Sequence, residues 1–244
     1  MDINNVKNIL KDIPIFWINL DRAEKRRNNM IENFKKYDLK AERIDGIDGN
    51  NINLEEYKKN YNINEKMNKY EVACAFSHIK AIKTCYEKNL DYALILEDDV
   101  TFDYFDYKKD TLKYLLEELK KVNGECIQLC NIISRKLFSN YANSKKLLIK
   151  TDFAGAQAYL ITKSGMKKVI DNFENTKNIN VSEHIIFKII NNYITKPYFS
   201  YPFLKDEHGN EVNPSFIREN SKSAHATQTI SKMLWDEYYL THKE

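Results

Sequence analysis

Tyr92-Ala93-Leu94-Ile95-Leu96-Glu97-Asp98-Asp99 decides how this chain is read: an unbroken apolar run stops abruptly at three carboxylates. A short continuous apolar run of this kind fits a strand buried on both faces of a sheet. Burying an unpaired carboxylate is costly, so Glu97, Asp98 and Asp99 belong at the strand's exit. Side chains alternate along an extended chain. Glu97 and Asp99 can therefore face the same way, with their Cα atoms about 6–7 Å apart. Two carboxylates so placed suit a hard divalent cation, directly or through water, with coordination places left for phosphate oxygens. From these three residues alone, an acidic turn in solvent would look the same.

Upstream of this stretch, Ile13 to Leu20 is a β-branched and aromatic run fit for a second buried strand. Asp21 reads as the N-cap of a polar helix from Arg22 to Lys36, with Met30, Ile31 and Phe34 as its inward stripe. A short strand from Ala41 to Ile44 ends in the turn Asp45-Gly46-Ile47-Asp48-Gly49, and residues 50 to 68 read as irregular and exposed. A helix is expected from Tyr70 to Asn89, its apolar face built from Val72, Ala73, Phe76, Ile79, Ala81 and Ile82.

Downstream, the pattern predicts a helix from Lys108 to Lys121, a strand from Glu125 to Asn131 and an ill-defined segment to Asp152. A strand from Ala156 to Thr162 then leads into a helix from Ser164 to Phe173. Another helix starts at Ser182, and a strand runs from Tyr193 to Tyr201. Residues 202 to 226 read as loop, and Ile230 to Leu240 as an amphipathic helix. Alternating strands and helices imply an α/β fold with a mainly parallel sheet and helices on both faces, whose ligands bind beyond the carboxyl ends of the strands. Six glycines and four prolines leave no linker to divide the chain, and no repeat is present, so one domain over residues 1–244 is expected.

Composition narrows the function classes. With 43% hydrophobic and 12% aromatic residues among 244, the chain is too apolar to be disordered. Lys and Arg total 38 against 35 Asp and Glu, a net charge of +3, which argues against a nucleic-acid binder. The four cysteines form no C-x-x-C pair and read as reduced buried thiols; Cys126 and Cys130 with His184 lack a fourth zinc ligand. No signal peptide is visible, and the apolar run Ile13 to Ile18 falls far short of the roughly 20 residues a bilayer needs. A cytoplasmic location is expected, with a basic surplus suited to weak peripheral approach to an anionic membrane.

Two further stretches concentrate polar groups. In Ile18-Asn19-Leu20-Asp21-Arg22, with Arg26 a turn later, polar groups end a strand and Arg charges open a helix. That combination favours a diphosphate, although Arg22, Lys25, Arg26 and Arg27 would equally make a solvated basic face. In Cys74-Ala75-Phe76-Ser77-His78, the adjacent Ser and His point about 100° apart on a helix and do not make a hydrolase dyad. No Gly-x-Ser-x-Gly elbow supports that chemistry.

Taken in order, these pieces resemble glycosyltransferase family 25, which includes bacterial lipooligosaccharide galactosyltransferases and procollagen hydroxylysine galactosyltransferases. The likeness lies in Phe16 to Arg22 with Arg26-Arg27, in Arg43 to Gly49, in Glu71 to His78 and in Ala93 to Val100. Ala156 to Gly165 adds a weaker match. The resemblance is close over about residues 13–103 and looser to about residue 220.

It implies a GT-A type fold, a UDP-sugar donor and a D-x-D-like acidic motif holding Mn²⁺ or another divalent cation. On that basis Glu97 and Asp99 take the metal-binding outer positions, with Asp98 between them on the donor side. Asn19, Leu20, Arg22 and Arg26 match the start of the nucleotide site, Asp45 and Gly46 the loop beside it, and Ser77 and His78 the helix facing the donor phosphates. The nucleotide-binding part would span about 13–103 and the acceptor part about 125–220.

An inverting transfer also needs a base for the acceptor hydroxyl. Some members carry Val-Asp-Glu before a late helix; here the stretch is Val181-Ser182-Glu183. Glu183 is the candidate base and Asp152 the reserve, while a helix-capping role is the other reading of Glu183. The expected reaction moves galactose or glucose to a hydroxyl on a glycan or on collagen-like hydroxylysine or its glycoside. A metal-dependent phosphate-ester hydrolase and a non-catalytic nucleotide-binding interaction domain are the alternatives.

Overall fold

The structure is a computed structural model that describes residues 2–151, 155–200 and 222–242. Helix α1 (Ile3–Ile9) precedes strand β1 (Ile15–Asn19), helix α2 (Glu24–Lys36) and strand β2 (Ala41–Asp45). Next come α3 (Leu54–Asn60), β3 (Asn62–Ile63), α4 (Lys69–Glu87) and β4 (Tyr92–Glu97). Then follow α5 (Leu112–Lys121), β5 (Cys126–Gln128), α6 (Arg135–Ala142) and β6 (Ile149–Lys150). The remainder is β7 (Ala158–Thr162), α7 (Lys163–Thr176), β8 (Asn178–Ile179), α8 (Ser182–Phe187), β9 (Asn192–Ile194) and α9 (Lys222–Thr241).

Seven strands form one sheet in the order β2-β1-β4-β7-β5-β9-β6, and β3 pairs with β8 in a separate two-stranded sheet. In the large sheet β1 is parallel to both β2 and β4, β7 runs antiparallel between β4 and β5, and β9 is parallel to β5. The edge strand β6 is antiparallel to β9. Five strands thus point one way, and only β7 and β6 are reversed. The α/β architecture expected for a GT-A type domain, mainly parallel and covered on both faces, is the one observed.

Alternation builds the two cores. In β1, Phe16 and Ile18 join one buried cluster while Ile15 and Trp17 join the other; in β4, Ala93 and Ile95 face the first, Leu94 and Leu96 the second. The first face is closed by α4, through residues such as Val72, Ile79 and Ile82, and by α7, through Met166, Val169 and Phe173. The second is closed by α1, by Met30 and Phe34 of α2, and by Leu112, Leu115, Leu116 and Leu119 of α5. Each such buried aliphatic side chain contributes roughly 1.5–3 kcal/mol. A third cluster seats Trp235 and Tyr239 of α9 against Tyr104, Ile133 and Ala142. Among the described residues no helix is long and apolar enough to cross a membrane.

Several local expectations are corrected. Asp21 does not cap α2: Ala23 holds that position without a side-chain bond, because the Asp21 carboxylate is taken by Arg43 Nη2 at 2.6 Å. Ile31 is exposed, leaving Met30 and Phe34 as the inward stripe, since a 13-residue helix on this sheet buries only a narrow seam. Residues 50–68 are irregular only in part: α3 and β3 form there, with the Asn53 side chain accepting from the Glu56 amide at the start of α3. The strand expected over 193–201 ends at Ile194, before Pro197, which has no N–H to give a ladder. Residues 135–142 are helical, and α9 begins at Lys222 rather than 230. The rest of the loop expected over 202–226 lies outside the described residues.

Asn68 starts α4 by accepting from the amides of Tyr70 and Glu71, while Glu71 accepts from the Asn68 amide at 2.9 Å, a reciprocal capping box. Gly49 packs against this turn so closely that a Cβ there would lie 2.9 Å from Tyr70 Cα and 2.5 Å from Tyr70 Cδ1. Gly49→Ala is therefore expected to lower stability by about 1–3 kcal/mol, read as a shifted urea midpoint at unchanged slope. An unchanged midpoint would show that this turn can move aside.

Candidate active site

Sheet register assembles the site. Pairing Asn19 with Asp45 and Ile18 with Glu97 brings the carboxyl ends of β2, β1 and β4 to one edge. Because β7 is reversed, its beginning lies at the same edge: Leu96 faces Ala158, and the Glu97 amide donates to the Gln157 carbonyl at 2.8 Å. Helix α4 crosses above this edge and presents Cys74, Ser77 and His78. The start of α8 adds Val181, Ser182 and Glu183. The resulting cleft is lined by Asn19, Leu20, Arg22, Arg26, Ser77, His78, Glu97, Asp98, Asp99 and Glu183 among others.

Ten of the residues expected at the site are thus brought together. Asp45 and Gly46 do not line the cleft; the Asp45 side chain is largely exposed 3.4 Å from Arg43, and its carbonyl accepts from Lys80. Gly46 instead extends the β1–β2 pairing through its amide to the Asn19 carbonyl at 3.0 Å. Ile47 and Gly49 of the same turn reach the cleft in their place. Asp152 lies outside the described residues.

The three acids have different surroundings. Asp98 accepts from Asn19 Nδ2 at 2.6 Å and from Arg26 Nη1 at 3.0 Å, so both its oxygens are held by the protein. Asn19, itself buried, is gripped in turn by Arg43 Nε at 3.0 Å and donates to the Ala23 carbonyl at 3.3 Å. Burial pushes the Asp98 carboxyl above its ordinary range, with Arg26 and Asn19 pulling the other way. The same burial opposes the Arg26 charge, yet Asp99 and Asp98 together hold its pKa above the usual value.

Asp99 is less well compensated. Arg26 approaches it only to 3.7 Å, and its Oδ1 is buried with no hydrogen-bond partner. Burial, reinforced by the charges of Glu97 and Asp98 and only partly offset by Arg26, raises its pKa to about 7. Glu97 meets His78 Nε2 at 3.3 Å, and His78 Nδ1 meets the Tyr159 hydroxyl at 3.1 Å. On α8, the Ser182 hydroxyl donates to Glu183 at 3.2 Å.

A bare buried oxygen on Asp99 beside a second carboxylate is the donor set a hard divalent cation satisfies. Gln157 Oε1 is another buried oxygen without a partner, on a residue lining the same cleft. Gln157 was missed from sequence because its position depends on the reversal of β7, which no local pattern states. Cys74 was missed as a cleft residue although its four-residue spacing from His78 was legible in the helix. Arg22 also lines the cleft and bonds Asp48 at 2.6 Å.

The model of glycosyltransferase family 25 (LPS biosynthesis protein) matches residues 12–185. Procollagen galactosyltransferase 2 of Mus musculus is 23% identical over 91% of this chain and 38% of its own length. A putative glycosyltransferase of Haemophilus influenzae is 28% identical over 66% of this chain and 57% of its own. The chain spans well under two thirds of the length of either relative. The solved apo structure of mouse xyloside xylosyltransferase 1 overlaps with a TM-score of 0.34 at 10% identity, covering 76% of this chain and 75% of that one, too loosely to bear on function.

Proposed function

Because the chain belongs to glycosyltransferase family 25, we propose that it transfers a hexose, galactose or glucose, from a UDP-sugar to an acceptor hydroxyl with inversion. The acceptor is a glycan hydroxyl or a collagen-like hydroxylysine or its glycoside. The observation that carries this reading is the unpartnered Asp99 oxygen beside Glu97, in a cleft that also holds Arg22, Arg26 and Asn19.

In this reading Glu97 and Asp99 hold a divalent cation, Mn²⁺ foremost, which when bound supplies positive charge against the leaving diphosphate. Arg22 adds charge toward the same anion. Arg26 and Asn19 act chiefly by clamping Asp98, which fixes the acidic tip in place. The acceptor oxygen attacks the anomeric carbon, the bond from that carbon to the diphosphate oxygen breaks, and Glu183 takes the acceptor's proton. The Ser182 hydroxyl orients Glu183 for that role.

Calorimetry tests the donor site. UDP, UDP-galactose or UDP-glucose is expected to bind in the presence of Mn²⁺ and to lose at least tenfold in affinity in a folded Glu97→Ala, Asp99→Ala double variant. Equal affinity in both proteins would remove these acids from the donor site.

A further inference from the structure

Cys74, His78 and Glu97 offer one ligand atom each, and the three atoms lie within 4.8 Å of one another. From this we infer that they form a binding site for a thiophilic divalent cation of the Zn²⁺ class, distinct in its ligand set from the oxygen site at Asp99. The inference goes beyond the sugar-transfer reading and does not depend on it.

The geometry is built by the fold. A four-residue spacing puts Cys74 and His78 on one face of α4, and the end of β4 brings Glu97 beneath that face. His78 is buried, with Nδ1 directed at the Tyr159 hydroxyl and Nε2 at Glu97, 3.3 Å away. Two ligands about 2.0–2.1 Å from a tetrahedral Zn²⁺ stand about 3.3 Å apart, so this pair already has the bite that such an ion needs. A hydrogen bond to the far ring nitrogen is the outer-shell partner that orients metal-ligating histidines. The Cys74 sulfur has only a long contact, 3.9 Å to Ser182 Oγ, to give up on turning toward the ion.

A set of S, N and O donors selects Zn²⁺ or Co²⁺ over Mn²⁺ or Mg²⁺, which prefer oxygen alone. On binding, the thiol yields its proton to solvent and the thiolate becomes the ligand. The fourth position opens on the cleft, since Cys74, His78 and Glu97 all line it. Glu97 belongs to both ligand sets, so an ion here withdraws it from the oxygen site. Excess Zn²⁺ therefore competes with the hard cation for one carboxylate.

Titrating the EDTA-treated full chain with Co²⁺, without nucleotide, tests the site. The wild type is expected to develop a near-ultraviolet thiolate-to-cobalt charge-transfer band at one equivalent, and Cys74→Ser to lose it. His78→Gln, which removes a direct ligand, is expected to weaken Zn²⁺ binding by more than the roughly 10–100-fold that loss of an outer-shell partner costs. On the unmutated chain, Zn²⁺ is expected to slow alkylation of Cys74, read by peptide mass spectrometry, which holds even if a variant folds poorly. Absence of the band in the wild type, its survival in Cys74→Ser, or unprotected alkylation would each overturn the assignment. Since no nucleotide is present, these results stand whether or not donor binding is found.

Discussion

Replacing Asp99 with Asn is expected to raise the melting temperature of the metal-free protein while removing cation-dependent donor binding and lowering transfer by about 10²–10³-fold. The two effects share one cause. The pKa of the Asp99 carboxyl is raised to about 7 in the folded chain against an ordinary 3.8, because it is half-buried among acids with one oxygen fully enclosed and is faced by Arg26 only at 3.7 Å. Between those pH values the folded chain holds a proton that the unfolded chain releases. Stability therefore falls as pH rises through this window, and the full cost is present above about 7.

Asn has the same shape and no charge, so it relieves that cost. The gain should be small near pH 4 and should grow to about 1–2 kcal/mol at pH 8, or roughly 3–6 °C for a chain of this size. Arg26 keeps Asp98 as its closer partner but loses the favourable charge of Asp99, which offsets part of the gain and holds it below the full pKa shift. Thermal melts in EDTA at pH 5 and pH 8, with transfer measured alongside, check both halves. A variant less stable than wild type at pH 8, or one that still transfers sugar with unchanged metal dependence, would contradict the argument.

Glu183→Gln carries the second large effect. A positioned general base contributes about 10²–10⁴ in rate, and Gln keeps the size and hydrogen-bonding of the side chain while losing proton affinity. Turnover is expected to fall by about that factor with donor affinity unchanged, because Glu183 enters from α8 and the acids from β4. Ser182→Ala, which removes only the hydroxyl that orients Glu183, should cost less, about tenfold in kcat. Full turnover by Glu183→Gln would assign the proton acceptor elsewhere; a parallel loss of donor affinity would assign Glu183 to the donor instead.

What could be read from the chain alone follows from the range of the forces involved. The apolar run of β4, the aromatic run of β1 and the face of α4 are local patterns imposed by burial, and each appears within a residue or two of its expected place. The acids at the exit of β4 were legible for the same reason. The reversal of β7 was not, since strand direction is set by how distant elements pack, and with it went Gln157. Asp21 looked like a helix cap until Arg43, arriving on the neighbouring strand, claimed its carboxylate. For α3 the signal was present: Asn53 followed three residues later by Glu56 is a helix start, obscured by the Asn- and Lys-rich composition around it.

The short pairing of Asn62–Ile63 with Asn178–Ile179 has a mechanical consequence. Backbone bonds from Asn62 to Lys177 and from Asn64 to Ile179 rivet the segment before α4 to the segment before α8. The two segments are therefore yoked. The entry to α8, and with it Glu183, the proposed proton acceptor, is thereby held to the chain that follows α3 by backbone hydrogen bonds rather than by side chains alone.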